Sequence, residues 1–145
     1  MAVTVYGVIG DSGILGGLRH PTMHPVQPLE RGLGLCHVRT QVVLDEPPGE
    51  LPRLTESVLG YVAAVSQRTP VIYVACDGSE EASAGWRDGT LVLGPLRNRC
   101  ELRRRLLWRE TGAVESGLRW LGVRSRSCVR AVGLDGRAEW EPGAT

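Results

Sequence analysis

The stretch that decides the fold runs from Leu51 to Cys76 and reads LPRLTESVLGYVAAVSQRTPVIYVAC. Apolar residues recur at helical spacing in its first part, which predicts an amphipathic helix over residues 51–68. Thr69-Pro70 ends this helix, because proline lacks the N–H that a helix interior needs. Residues 71–76 are continuously apolar, which is typical of a strand buried on both faces. The stretch therefore predicts a helix that leads directly into a core strand of a sheet.

Strand and helix signals continue on both sides of this stretch. Upstream, they predict strands over residues 3–9 and 33–44, joined by a glycine- and proline-rich connection. Downstream, the predicted elements are a polar loop over 77–89, a strand over 90–93, a helix from Arg97 to at least Glu110, a helical segment over 113–121 and a hairpin over 123–141. This order predicts an α/β (α+β) fold, with a single mixed β-sheet and two helices packed on one face. One domain over residues 1–145 is expected, with residues 1–24 as an irregular N-terminal strand and loop.

Composition and charge are those of a soluble globular protein. The 145 residues are 42% hydrophobic and 23% charged, with a formal net charge of +1. A nearly neutral molecule has no overall field that would attract nucleic acid or a membrane surface, so neither partner is expected. The N-terminus lacks the pattern of a signal peptide, and the four cysteines form no Cys-x-x-Cys pair. We therefore expect a cytoplasmic protein with reduced thiols.

The three histidines fall in one region of the chain. They are His20, His24 and His37, and Cys36 stands beside the last of them. Imidazole and thiolate are ligands that zinc prefers, but this spacing matches no closed structural zinc pattern. Prolines also interrupt the helix that a His-x-x-x-His pair would need. No metal site is therefore predicted, although these four residues are the set from which one would be built.

Two further motifs imitate catalytic sequences. Gly10-Asp11-Ser12-Gly13 resembles the nucleophile loop of serine hydrolases, but no histidine precedes it and none follows His37, so a glycine-rich turn is predicted. Asp77 and Glu101 imitate two metal-binding carboxylates of a ribonuclease-H-like nuclease, but their spacing is too short for the strands of that fold. The arginine run over residues 97–109 is predicted to be a solvated helix face, with a phosphate-binding patch as the alternative.

The C-terminal hairpin brings an arginine and two carboxylates towards one ladder. Asp135-Gly136 supplies the positive φ that its turn needs. Alternate residues of a strand share a face, so Arg126 and Cys128 line one side of the first strand. Glu139 and Glu141 share a side of the return strand. These residues form either a cross-strand ion pair on a solvated face or a site for a small polar ligand.

Two segments carry a family resemblance. The first runs from Pro25-Val26-Gln27 through Gly34 to Thr40-Gln41. The second joins Arg126-Ser127-Cys128-Val129 to Glu139 or Glu141. Together they resemble the entry strand and the Arg-Ser hairpin of the Rid family, the small reactive-intermediate (enamine/imine) deaminases. The order of predicted elements agrees with that family over most of the chain, and the resemblance implies a chorismate-mutase-like fold.

The resemblance implies an enzyme that hydrolyses a reactive 2-imino acid to a 2-keto acid and ammonia, without a metal or an organic cofactor. Arg126 would hold the carboxylate of this small substrate in a bidentate fork. The main chain at Cys128 and one of the two glutamates would position the attacking water. The implied substrate-binding residues are Arg126, His24 and Gln41, and the implied catalytic residues are Arg126, Cys128, Glu139 and Glu141. The sites are expected between the subunits of a homotrimer, with the helices outside and the sheets facing inward.

Two other functions stay open. The same fold class hosts chorismate-transforming enzymes, and the arginine run over residues 97–109 would suit a dicarboxylate substrate in a specialised biosynthetic pathway. The second is a catalytically silent trimer that binds a metabolite or a partner protein. Exposure of Trp86 and Trp108 would favour it, and burial of both would not.

Overall fold

The computed structural model of the chain describes residues 5–39, 47, 49–77, 80–99 and 112–123. Within these residues the strands are β1 (Val5–Asp11), β2 (Gln27–Pro28), β3 (Leu33–His37), β4 (Val71–Cys76), β5 (Glu80–Arg87) and β6 (Thr90–Arg99). The helices are α1 (Ser12–Gly17), α2 (Glu56–Ser66) and α3 (Ala113–Trp120), and a 3₁₀ turn spans Glu30–Gly32. One sheet with helices packed around it confirms the α+β class.

The strands form one sheet in the order β2-β3-β1-β4-β5-β6. β1 lies between β3 and β4, with Val8 paired to Cys36 on one side and to Tyr73 on the other. β4, β5 and β6 follow one another through short connections, which impose antiparallel pairing on neighbouring strands. Every pairing among the described strands is antiparallel, so in this part of the chain the sheet is antiparallel and not mixed as predicted.

The two longer helices lie on opposite faces of the sheet. Val71 and Tyr73 of β4 belong to the core beneath α2. Ile72 and Val74, which alternate with them, belong to the core beneath α3. Successive residues of a strand point to opposite faces, so a strand that is apolar throughout needs a cover on each side. The prediction of two helices packed on one face is therefore wrong, and neither face of β4 is left bare.

Residues 80–87, which we expected in a polar loop, form the buried strand β5. On one face Trp86 lies in the core beneath α2. On the other face small side chains let α3 approach closely, since a Cβ on Gly117 would lie 3.1 Å from Ser83 Oγ. The same Ser83 hydroxyl donates a hydrogen bond to the Ala113 carbonyl at 2.5 Å. The loop prediction is wrong because these small residues are packing positions beneath a helix.

The helix predicted from Arg97 does not begin there. β6 continues as an extended strand through Arg99, and residues 100–111 lie outside the described part of the chain. Asn98 Oδ1 accepts a hydrogen bond from the Ala113 backbone N–H at 2.7 Å, which joins the end of β6 to the first residue of α3. The later helical segment is confirmed as α3.

The elements around the opening stretch agree with the prediction in type but are shorter. The helix predicted over residues 51–68 is α2, which begins where Thr55 Oγ1 accepts a hydrogen bond from the Val58 N–H at 3.4 Å. The buried strand over residues 71–76 is confirmed as β4. The strand predicted over residues 33–44 is β3 as far as His37, and residues 40–46 are outside the described ranges.

Residues 5–24 contain more regular structure than we expected. β1 runs to Asp11, whose carboxylate accepts a hydrogen bond from the Ile14 N–H at 3.0 Å and so caps α1. The glycine-rich motif after β1 is therefore the start of a short helix and not a simple turn. The expected N-terminal strand is β1, and the expected irregular loop is corrected to the capped helix α1 followed by a loop.

Two glycines test how closely the sheet is packed. A Cβ on Gly7 of β1 would lie 2.7 Å from the Cys36 carbonyl oxygen, whereas a Cβ on Gly60 of α2 would meet nothing within 4 Å. We expect Gly7→Ala to lower the free energy of unfolding by roughly 1–3 kcal/mol, the cost of overpacking. Gly60→Ala is the matched control and should raise it by up to about 1 kcal/mol, because alanine favours the helix. Urea denaturation of both variants checks this, and equal effects would contradict the close packing of β1 on β3.

Candidate functional site

A cavity of about 430 Å³ lies between α1, the loop that follows it, β3 and α2. Its lining comes from residues between Leu15 and Val26, from Cys36 of β3, from Arg39 and from Tyr61 of α2. We call it the α1–α2 pocket. Its volume falls within the range of about 300–1,000 Å³ that is typical of small-molecule sites.

The loop over residues 18–26 is held against the end of β3 by main-chain hydrogen bonds. The His24 N–H donates to the His37 carbonyl at 2.8 Å, and the Arg39 N–H donates to the Thr22 carbonyl at 2.7 Å. Arg39 Nε adds a third bond to the Met23 carbonyl at 3.0 Å. Because the side chain and the main chain of Arg39 bind the same loop, this residue fixes the wall of the pocket.

The base of the pocket is apolar and neutral. It is formed in part by Leu15, Met23 and Cys36, which are all buried. The Tyr61 hydroxyl donates a hydrogen bond to Cys36 Sγ at 3.8 Å. Burial raises the pKa of Cys36, although the hydrogen bond from Tyr61 opposes this, and burial together with Cys36 raises the pKa of Tyr61. Both groups are therefore protonated at neutral pH, and the Cys36 thiol is a poor nucleophile.

An imidazole and a phenol ring meet at one corner of the pocket. The centroids of the His20 and Tyr61 rings lie 5.7 Å apart, with the ring planes tilted by 52°. Thr22 fixes the imidazole, since its N–H donates to His20 Nδ1 at 3.3 Å and its hydroxyl lies 2.7 Å from the same nitrogen. The two rings are thus held in a defined orientation relative to each other, and both residues line the pocket.

The polar side chains of the pocket are basic. Arg19 and Arg39 contribute guanidinium groups, and His24 contributes an imidazole. None of the described lining residues is acidic. Burial and the nearby Arg39 charge lower the pKa of His24, so its ring is neutral at neutral pH. Fixed positive charge beside an apolar base favours a ligand that carries a negative group and an apolar body.

One of the residues that the sequence assigned to substrate binding lies in this pocket. That residue is His24. The other residues assigned to the site lie outside the described ranges, and they are Gln41, Arg126, Cys128, Glu139 and Glu141. The predicted hairpin and its ion pair therefore stay predictions.

Sequence reasoning missed Arg19, Arg39 and Tyr61 as pocket residues. Tyr61 falls in the apolar helical repeat over residues 51–68, where its hydroxyl is the one polar group among leucines and valines. That hydroxyl was the available signal. The two arginines carry no such signal, because they meet only when the loop over residues 18–26 folds onto β3.

The alternatives drawn from the sequence find little support in the described residues. No group of three or more His, Cys, Asp or Glu side chains is placed there to hold a metal ion. Cys36 and His37 are successive residues of β3, so their side chains point to opposite faces of the sheet. Trp86 is buried, and Trp108 is outside the described ranges.

The described residues also give little support to the arginine-rich helix face and to the nuclease-like pair of carboxylates. Arg97 and Arg99 lie on the strand β6, so the expected helix face does not include them. Arg97 forms an ion pair with Glu80 at 3.8 Å. Asp77 directly follows β4, whereas its supposed partner Glu101 is outside the described ranges.

No protein-family model, curated protein or solved structure matches this chain. Among the described residues, no helix combines the length and the apolar character that crossing a membrane requires.

A buried histidine behind the pocket predicts a pH-dependent stability. His37 is 4% exposed, and burial, followed by the His24 charge, lowers its pKa from 6.5 to about 4. As the pH falls from 6.5 to about 4, the unfolded chain binds a proton that the folded chain does not, so stability is lost across this window. The free energy of unfolding falls by about 3 kcal/mol in all, because each unit of pKa difference between the folded and unfolded chain corresponds to about 1.4 kcal/mol.

We expect His37→Gln to remove this acid-dependent loss. Urea unfolding at about pH 7 and about pH 5 should show a smaller difference for the variant than for the wild type. NMR titration of the His37 ring in the folded protein provides a direct check. A folded-state pKa near 6.5 would contradict the explanation.

Proposed function

We propose that the protein binds a small carboxylate in the α1–α2 pocket and is a small-molecule enzyme that acts on such a substrate. The observation that carries the proposal is the pairing of a basic wall, without acidic lining residues among those described, with a neutral apolar base. A carboxylate gains charge-assisted hydrogen bonds from the basic wall, and the hydrocarbon part of the ligand is buried against the apolar base.

The two arginines have different roles in this proposal. Arg39 already uses Nε to hold the loop through the Met23 carbonyl, so its terminal nitrogens are presented from a fixed stem. Arg19 is exposed and lies at the opening of the pocket. A guanidinium matches the geometry of a carboxylate with two parallel N–H donors. Arg19 therefore attracts and binds the anion, and Arg39 both shapes the pocket and contributes charge.

The reaction we propose is the hydrolysis of a 2-imino acid to a 2-keto acid and ammonia. What supports it is the Rid-like resemblance of the sequence, together with the position of His24 in a pocket suited to a carboxylate. Water adds to the imine carbon, and the resulting carbinolamine loses ammonia, so no oxidant or cofactor is consumed. Arg126, Cys128 and the two glutamates keep the roles that the resemblance gives them.

The proposal includes the homotrimer with sites between its subunits and the chorismate-mutase-like relationship. In the described part of the chain, α2 and α3 cover the two faces of the sheet around β4. Subunit contacts would therefore involve surfaces other than the bare sheet faces that we expected. A silent metabolite-binding protein and a chorismate-transforming enzyme are the alternatives that the experiments below separate from the deaminase.

Binding of a carboxylate is tested by replacing the exposed arginine. We expect Arg19→Gln to weaken the binding of a small carboxylate about tenfold, because it removes one charge-assisted interaction. Arg68→Gln is the matched control, since Arg68 is an exposed arginine at the end of α2 and away from the pocket lining. Isothermal titration calorimetry with a panel of carboxylates and their neutral amides gives the readout. Equal affinity for acids and amides would rule out the carboxylate site.

The reaction is tested by ammonia release. 2-Aminoacrylate, an enamine that tautomerises to an imine, and the imines of branched-chain amino acids are generated in place, and the wild type should accelerate their hydrolysis whereas Arg126→Ala should not. Circular dichroism and light scattering on the same samples control for folding and oligomeric state. Carboxylate binding without acceleration would remove the deaminase and leave a binding protein or chorismate-type chemistry.

A further inference from the structure

We infer that the α1–α2 pocket selects a carboxylate whose body is a flat aromatic ring over one of the same size with a saturated ring. The inference rests on the proposed carboxylate function and adds the class of ligand. The geometry that carries it is the corner formed by the His20 and Tyr61 rings in a pocket that two sulfur-containing side chains and two prolines also line.

An aromatic ligand can make contacts with the His20 and Tyr61 rings that a saturated ligand cannot make. Rings of side chains prefer offset or edge-to-face contacts, with centroids about 4.5–7 Å apart. His20 and Tyr61 are themselves in this range, at 5.7 Å and 52°. A flat ring placed in the angle between them can face one ring and present its edge to the other.

Two sulfur-containing side chains also line the pocket. Met23 and Cys36 both line the pocket and are buried. A polarisable sulfur makes favourable contacts with the edge of an aromatic ring. The Cys36 thiol is further oriented by the hydrogen bond from the Tyr61 hydroxyl at 3.8 Å, so the phenol ring and the sulfur are fixed relative to each other.

A positively charged residue adjoins this corner in the chain. Arg19 immediately precedes His20 in the chain, and both residues line the pocket. A ligand whose carboxylate is bonded to the ring, or one carbon away, can therefore reach the guanidinium while its ring occupies the corner. Pro21 and Pro25 on the same loop close the side of the pocket with rigid rings. An aryl carboxylic acid fits this combination.

The test compares ligands that differ only in the ring. Benzoate and phenylacetate are paired with cyclohexanecarboxylate and cyclohexylacetate, and dissociation constants are measured with the full chain by calorimetry. If burial of apolar area alone determined affinity, the acid with the saturated ring would bind at least as tightly as the aromatic acid. We expect the aromatic member of each pair to bind about three- to tenfold more tightly.

Variants assign this preference to the ring corner. His20→Gln keeps a hydrogen-bonding side chain beside Thr22 but removes the ring, and it should abolish the preference while carboxylate binding remains. Tyr61→Phe keeps the ring but loses the bond to Cys36, and it should retain the preference. Because Tyr61 is buried, the folding of its variant is checked by circular dichroism.

Each outcome bears on a different claim. Equal binding of the paired acids, or a preference that persists in His20→Gln, would overturn the aromatic selection and leave the carboxylate site intact. Absence of binding by all four acids would overturn the carboxylate function itself. A preference that is lost in His20→Gln and kept in Tyr61→Phe supports both.

Discussion

The constraint on which the fold depends is that β4 is apolar on both of its faces. All six residues from Val71 to Cys76 are buried, and alternate ones belong to two separate cores. A strand of this kind is stable only if something packs on each side, since each exposed apolar side chain would forgo about 1.5–3 kcal/mol of burial energy. α2 and α3 supply the two covers. The antiparallel partners β1 and β5 then extend the same alternation across the sheet.

The α1–α2 pocket exists because α2 covers only part of its face. The remaining part, beside β3, is covered by α1 and the loop over residues 18–26. This loop comes very close to the strand, since a Cβ on Gly34 would lie 2.5 Å from Val26 Cγ2. The hydrogen bonds that Arg39 makes to Thr22 and Met23 hold the middle of the same loop. A short loop held over a sheet at these two points leaves a concave space between it and the neighbouring helix.

The parts of the fold that follow from local sequence patterns were predictable, and the parts that follow from long-range packing were not. The helix and the buried strand around Pro70 follow from apolar periodicity. The strand β5 was not predicted, because Ser83 and Gly85 are residues typical of turns. In the structure their small size lets α3 pack against them. The extended conformation of Arg97 was missed for a related reason, because pairing with β5 prevails over the helical preference of a charged run. In the pocket, only His24 was assigned to substrate binding from the sequence, and that through a resemblance; His20 and Cys36 stood out only as candidate metal ligands.

The neutrality of the pocket base limits the chemistry that its own residues can perform. Cys36 and Tyr61 bind each other, and burial raises the pKa of both, so neither supplies an anion at neutral pH. A covalent mechanism through the thiol is therefore disfavoured, because the thiolate and not the thiol is the nucleophile. Binding energy from the arginines and the apolar base can still orient a substrate that is already poised to react with water. A hydrolysis of that kind demands the least from such a site, because it needs no strong internal nucleophile.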